Sequence, residues 1–173
     1  MISYFLIGVS ILVTLYVWQN KTLLMYGMNG DFLKKGDYVS FWKQVLAFQF
    51  IHGDVLHIVM NSYFLYSAGP IIEEILGSAR YGVFFITSTL FSVAMLFFFA
   101  SRQNTIGISG FCMSILSYLW ILLYSSGSSG TEEIGRLLII NIVIGFLPGI
   151  SLVGHVAGAI WGILFWIITR NFI

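Results

Sequence analysis

Charge is what this chain of 173 residues has least of. Asp, Glu, Lys and Arg make up 9% of it, against about 25% in soluble proteins. So few charges cannot clothe the surface of a soluble domain of this length. Eight Lys and Arg stand against seven Asp and Glu, a net charge of +1. The chain therefore offers no basic face to a phosphate backbone, which excludes nucleic acid as a partner. Cysteine is nearly absent. The one thiol, Cys112, cannot form an intramolecular disulfide, and its apolar surroundings suit a buried structural role. What remains is apolar: 58% hydrophobic and 17% aromatic, with a mean hydropathy of +0.93. This composition belongs to an integral membrane protein whose medium is the lipid bilayer.

A helical span needs about 20 mostly apolar residues. Apolar blocks at 3–18, 55–72, 81–101, 109–126, 136–149 and 152–170 predict an all-α polytopic membrane protein with six transmembrane helices, in one membrane domain covering 1–173. The first block has no basic n-region before it and no small-residue cleavage site after it, so it is expected to remain a span and not act as a signal peptide. An even number of spans puts both termini on one side. Residues 19–54 form the single long connection, with Lys21, Asp31, Lys34, Lys35, Asp37 and Lys43 among the boundary-seeking aromatics Tyr38, Phe41 and Trp42; a partly embedded, amphipathic loop is expected there. Gly69-Pro70, Gly77-Ser78, the Ser/Gly run 125–130 and Pro148-Gly149 read as turns. With a cytoplasmic N-terminus, the cytoplasmic side holds Arg80, Arg136 and Arg170, and the outer side Lys21, Lys34, Lys35, Lys43 and Arg102. Three against five favours the reverse orientation by the positive-inside rule.

In so apolar a chain the informative residues are polar ones at bilayer depth, because each costs free energy unless it is paired or used. His52, His57 and His155 all flank or enter predicted spans. His57 and Asn61 are four residues apart and share one helix face. Each alone could be interhelical glue, a hydrogen bond of about 0.6–2 kcal/mol. Ser109 stands in Gly107-Ile108-Ser109-Gly110 at a loop-to-helix junction. The glycines permit a sharp backbone and close approach. The helix start supplies free N–H groups and a positive dipole end for a developing oxyanion. Ser109 could equally be a plain N-cap. Gly154, Gly158 and Gly162 on the last span, and Gly110, Ser114 and Ser117 on the fourth, form small-residue faces that let two helices pack closely. That packing would bring Ser109 and His155 together. No acidic residue lies in either helix, so a dyad is the economical assignment.

These motifs resemble those of the rhomboid intramembrane serine proteases, over nearly all six spans. The resemblance rests on His52-Gly53-Asp54-Val55-Leu56-His57-Ile58-Val59-Met60-Asn61, on Gly69 with Glu73 and Gly77-Ser78, on Gly107-Ile108-Ser109-Gly110, and on Gly154-His155-Val156-Ala157-Gly158. It implies a rhomboid-like six-helix bundle with Ser109 as nucleophile and His155 as general base, acting on transmembrane protein substrates without metal or cofactor. His57, the Asn61 amide and the Ser109 N–H would line the oxyanion hole. Gly107, Gly110, His52 and Met113 would support the site, and Glu73 would be structural. The long first loop would be the family's embedded loop, the helix near 136–149 its lateral gate, and both termini cytoplasmic. Met113 departs from the pattern, standing where many relatives have a tyrosine against the imidazole.

Three other readings compete. A catalytically inactive rhomboid-like chaperone is opposed by the presence of both Ser109 and His155. A haem protein using His57 and His155 would leave Asn61 and the Gly-flanked serine unexplained. A zinc protease lacks its H-E-x-x-H motif.

Overall fold

The computed structural model describes residues 1–172, the side chain of Leu24 aside. The helices in chain order are α1 (Ile2–Asn20), α2 (Leu23–Tyr26), α3 (Asp31–Lys34), α4 (Tyr38–Ala47), α5 (Val55–Leu76), α6 (Ser78–Phe99), α7 (Ser109–Ser125), α8 (Thr131–Ile144) and α9 (Leu152–Thr169). Short 3-10 turns follow α4 and α9, at Phe48–Phe50 and Arg170–Phe172. No strand is present among the described residues. The chain is an all-α polytopic membrane protein. α1, α5, α6 and the last helix are each long and apolar enough to cross a bilayer. α7 has only 17 residues, about 25 Å at 1.5 Å per residue, against a hydrocarbon core of about 30 Å.

Hydrogen bonds at the two ends fix the arrangement. The backbone N–H groups of Ile2 and Ser3 donate to the Glu73 carboxylate at 2.7 and 3.1 Å, and the Ser3 and Ser78 hydroxyls donate to it at 3.0 and 2.8 Å. Arg80 donates to the Phe172 carbonyl at 3.1 Å. Both ends of the described chain therefore lie with the α5–α6 turn. The opposite end collects residues 21–54, 100–108 and 145–151.

α1 shows how the bilayer inverts the usual pattern. Its buried stripe is Ser3, Leu6, Ser10, Thr14 and Val17, while Phe5 and Leu12 are 67% and 69% exposed. Lipid is as apolar as leucine, so helices associate through close packing and hydrogen bonds, and small polar residues turn inward. α7 forms the centre, with every residue from Phe111 to Tyr118 buried. Around it Phe84 stacks on Phe165 at 4.4 Å between centroids and meets Phe111 edge-on at 5.4 Å. α9 runs so close beside α7 that a Cβ at Gly158 would overlap the Gly110 carbonyl oxygen, and one at Gly162 would overlap Ser117 Oγ and the Ser114 carbonyl.

Three sequence expectations shift. Gly69-Pro70 is not a turn: α5 continues to Leu76 with Pro70 inside it. Proline is tolerated in such helices because neighbouring elements re-satisfy the freed backbone. Here a Cβ at Gly69 would stand 2.7 Å from Ser3 Oγ, so the glycine lets α1 approach. The fifth helix spans Thr131–Ile144, not 136–149. Glu132 and Glu133 favour its positive N-terminal end, and a Cβ at Gly145 would lie 2.9 Å from Leu152 Cα, where α9 closes in. The long loop contains a real helix, α4, capped by Asp37, which accepts from the Ser40 N–H at 3.0 Å. That bond holds the Asp37 carboxyl below its ordinary value. Phe41, Val45 and Phe48 pack with Met28 on Val93 and Leu96 of α6 and on Ala100 just after it, whereas Tyr38, Val39, Trp42 and Leu46 are exposed, as suits an embedded segment.

The α7–α9 contact yields a stability prediction. Gly158→Leu overfills it and should lower unfolding free energy by about 3 kcal/mol in detergent. Gly8→Leu, at a position with open space around it, should change it by less than about 0.5 kcal/mol.

Candidate active site

Ser109 is the first residue of α7, and the residue in the N-cap position is Ile108. No side-chain bond caps this helix. By contrast, Asp54 caps α5 by accepting from the His57 N–H at 2.8 Å, and Ser151 caps α9 by accepting from the Gly154 N–H at 3.1 Å. Ser109 thus does not take the plain capping role considered for it, and among the described residues its hydroxyl has no hydrogen-bond partner. The segment before it is held from outside. Met28 and Thr105 exchange backbone bonds at 2.7 and 2.9 Å, and the Gly107 N–H donates to the Phe48 carbonyl at 2.9 Å. Gly107 has φ +104°, a region side chains rarely adopt. A Cβ there would lie 2.6 Å from His57 Nε2 and 3.8 Å from Asn61 Nδ2. Only glycine fits, and its presence sets the backbone of the serine loop directly on the His57–Asn61 pair.

His57 and Asn61 occupy the first two turns of α5 on one face, as their spacing predicts. Asn61 is 8% exposed, and the Cys112 thiol donates to its carbonyl at 3.9 Å. Its side-chain amide has no hydrogen-bond partner among the described residues.

His155 lies in the first turn of α9. Its Nδ1 is 2.8 Å from the Asn141 carbonyl oxygen on α8. A carbonyl can only accept, so Nδ1 carries the proton and the neutral ring keeps its basic lone pair on Nε2. Ser109 and His155 belong to neighbouring helix starts: a Cβ at Gly110 would stand 3.4 Å from the Gly154 carbonyl oxygen. Among the described residues no direct bond joins Ser109 Oγ to His155. In unliganded enzymes such bonds are often long and tighten with substrate.

The supporting residues distribute around this pair. Gly110 is the α7 side of the helix contact. Met113, one turn below Ser109, is buried with Leu116, Leu138 and Ala159, and its Cβ would be 3.0 Å from one built on Gly158. It therefore fills the α7–α8–α9 junction. His52 is fully buried, with its ring 4.8 Å from that of His57 at 77°.

One hollow adjoins the serine, and a second shares Thr105 and Ser151 with it. The first, a small one of about 10 Å³, is lined by Gln49, Ser92, Thr105, Ser109, Ser151 and Gly154 among others, close to the size of one water. The second, a wider groove of about 610 Å³, runs between residues 103–106 and 145–153. Among the described residues no group of three or more His, Cys, Asp or Glu is arranged to hold a metal ion. Chemically, the arrangement offers, among the described residues, a hydroxyl without a partner at a helix start, an imidazole with a directed lone pair and an amide donor without a partner.

Sequence reasoning missed Asn141, whose main-chain carbonyl carries no sequence signal, and Thr14, which bonds near His52. The second had a signal: Ser3, Ser10 and Thr14 fall at helical spacing in an otherwise apolar span.

A Rhomboid domain family model matches residues 39–172, from the first turn of α4 to the 3-10 turn that follows α9. Rhomboid protease GlpG of Yersinia pestis (strain Pestoides F) is 29% identical over 143 residues, covering 78% of this chain and 50% of the relative. RHOMBOID-like protein 4 of Arabidopsis thaliana is 25% identical over 147 residues, covering 81% and 36%. RHOMBOID-like protein 6, mitochondrial, of the same plant is 23% identical over 128 residues, covering 70% and 41%. The chain thus spans half the length of these relatives or less. The matched stretch contains Ser109, His155, His57 and Asn61 on the helices just described, and with most of the chain inside it, this protein belongs to the Rhomboid domain family.

Proposed function

We propose that the protein is an intramembrane serine endopeptidase that hydrolyses peptide bonds in or beside transmembrane segments of other membrane proteins. One observation carries the reading: the Asn141 carbonyl at His155 Nδ1 leaves Nε2 as the base at the helix start adjoining that of Ser109. Ser109 Oγ attacks the scissile carbonyl carbon as its proton passes to His155 Nε2. The oxyanion is met by the Asn61 amide, His57 and the Ser109 N–H, an arrangement in which one side-chain donor is worth about 2.7–4 kcal/mol. The C–N bond then breaks, and His155 returns the proton to the leaving amine. Water adds to the acyl-enzyme in the same way and frees Ser109.

The surroundings fit this chemistry. Because α7 is shorter than the bilayer core is thick, Ser109 starts below the membrane surface, and the groove between 103–106 and 145–153, which shares Thr105 and Ser151 with the small hollow at Ser109, suits entry of water and an unwound substrate strand. A helical substrate must first release the hydrogen bond on its scissile carbonyl, so segments with small or helix-breaking residues near the boundary are preferred. α8 has a single buried residue, Leu138, which suits a helix that yields to an incoming segment. The protein resides in a prokaryotic cell membrane with both termini cytoplasmic and the site opening outward, residues 1–173 forming one membrane domain.

The test is cleavage of a single-span substrate in liposomes. Ser109→Ala and His155→Ala should each reduce turnover by at least about 10³-fold, and a fluorophosphonate should label wild type but not Ser109→Ala. Unchanged cleavage by Ser109→Ala would sink the dyad; a folded, unreactive wild type that binds single-span clients would favour the inactive chaperone. Asn61→Ala should lower kcat about 10²-fold or more with the thermal midpoint retained. For orientation, Cys112 is buried and gives little background. In intact cells an impermeant maleimide should label Lys35→Cys at the site end, and Ser126→Cys only after permeabilisation.

A further inference from the structure

We propose that Thr14, on α1, is a positioning residue for the oxyanion side of the site, acting through His52 on the ring of His57. The proposal rests on the serine protease reading above. It starts from a proton count. Thr14 is fully buried, and its hydroxyl donates its one proton to the Phe50 carbonyl at 3.0 Å. Toward His52 Nδ1, 3.3 Å away, the hydroxyl has only a lone pair left to offer. His52 Nδ1 therefore carries the ring proton, and Thr14, together with the Phe50 carbonyl beside it, sets the orientation of that ring. One turn further along α1, the Trp18 indole N–H donates to the His52 carbonyl at 2.8 Å, so side chain and main chain of His52 are held by the same helix.

The ring so fixed bears on His57. His52 meets His57 edge-on at 4.8 Å between centroids. Gly107 approaches the same imidazole so closely that a Cβ would fall 2.6 Å from its Nε2. His57 is thus close both to a ring oriented by α1 and to the backbone two residues before Ser109. His52 Nε2 is buried and has no partner among the described residues, so Thr14 is the side chain that orients this imidazole. Valine has the shape of threonine and lacks the hydroxyl: in Thr14→Val the His52 ring loses the contact that orients it against His57. Thr14→Ser keeps the hydroxyl.

Two measurements on the full-length protein decide it. In the cleavage assay, Thr14→Val should lower kcat about tenfold at unchanged KM, and Thr14→Ser should restore it. A role confined to satisfying the Phe50 carbonyl would instead lower the thermal midpoint and leave kcat per folded molecule at the wild-type value, which would overturn the proposal. The second readout needs no activity. The chain has three histidines, so ring-15N-labelled protein gives three resolvable sets of signals. Thr14→Val should shift the His52 and His57 signals, leave those of His155 in place and be reversed in Thr14→Ser. Unmoved His57 signals would overturn the coupling. If the wild type cleaves nothing, the spectra still decide the coupling, and it is the protease reading that falls.

Discussion

The contact between Gly158 and the Gly110 carbonyl is the constraint from which the site follows. In a bilayer no hydrophobic force pushes helices together, and they stay where backbones can approach closely. Glycine at 158 and 162 removes the side chains that would hold α9 away from α7. Once the two helices touch, their starts come level, and the residues beside the contact, Ser109 and His155, are carried to the same end of the bundle. The aromatic shell of Phe84, Phe111, Tyr118 and Phe165 fills the other half of the pair, so the approach is not free to slide.

A second set of constraints runs sideways. Gly107 is pinned by Phe48, Thr105 by Met28, and His57 is wedged against Gly107. The segment between α1 and α5 therefore does more than connect. It supplies the backbone partners that shape the serine loop, and its own helix α4 packs on α6. Embedded polar chemistry in this protein is built less from paired charges than from main-chain groups whose positions are set by packing. That suits a medium in which buried ions are expensive.

Much of this was legible in sequence because the bilayer enforces simple rules. Long apolar blocks mark the four helices able to cross a bilayer, small residues at four-residue spacing mark close helix contacts, and His57 and Asn61 at i and i+4 must share a face. Rules of that kind stop where tertiary partners decide. Pro70 reads as a break but lies inside α5, since whether a proline ends a helix depends on what its neighbours re-satisfy. Apolar composition continues past Ile144 and so predicts a fifth helix reaching 149, whereas the helix stops where Gly145 meets Leu152. The loop helix α4 was hidden by its mixed composition. Neither Thr14 nor Asn141 could be paired with a histidine from spacing, because 38 and 14 residues separate them from His52 and His155.

The bond from His155 to a main-chain carbonyl has a consequence for how this site changes through evolution. Every residue type has a carbonyl, so position 141 can vary in side chain without altering which nitrogen of His155 is basic. What cannot vary is the path of α8. The orienting element of the site is thus encoded as a helix position and not as a residue. Variants that shift α8 by an ångström would change reactivity while every residue of the proposed site stayed as it is.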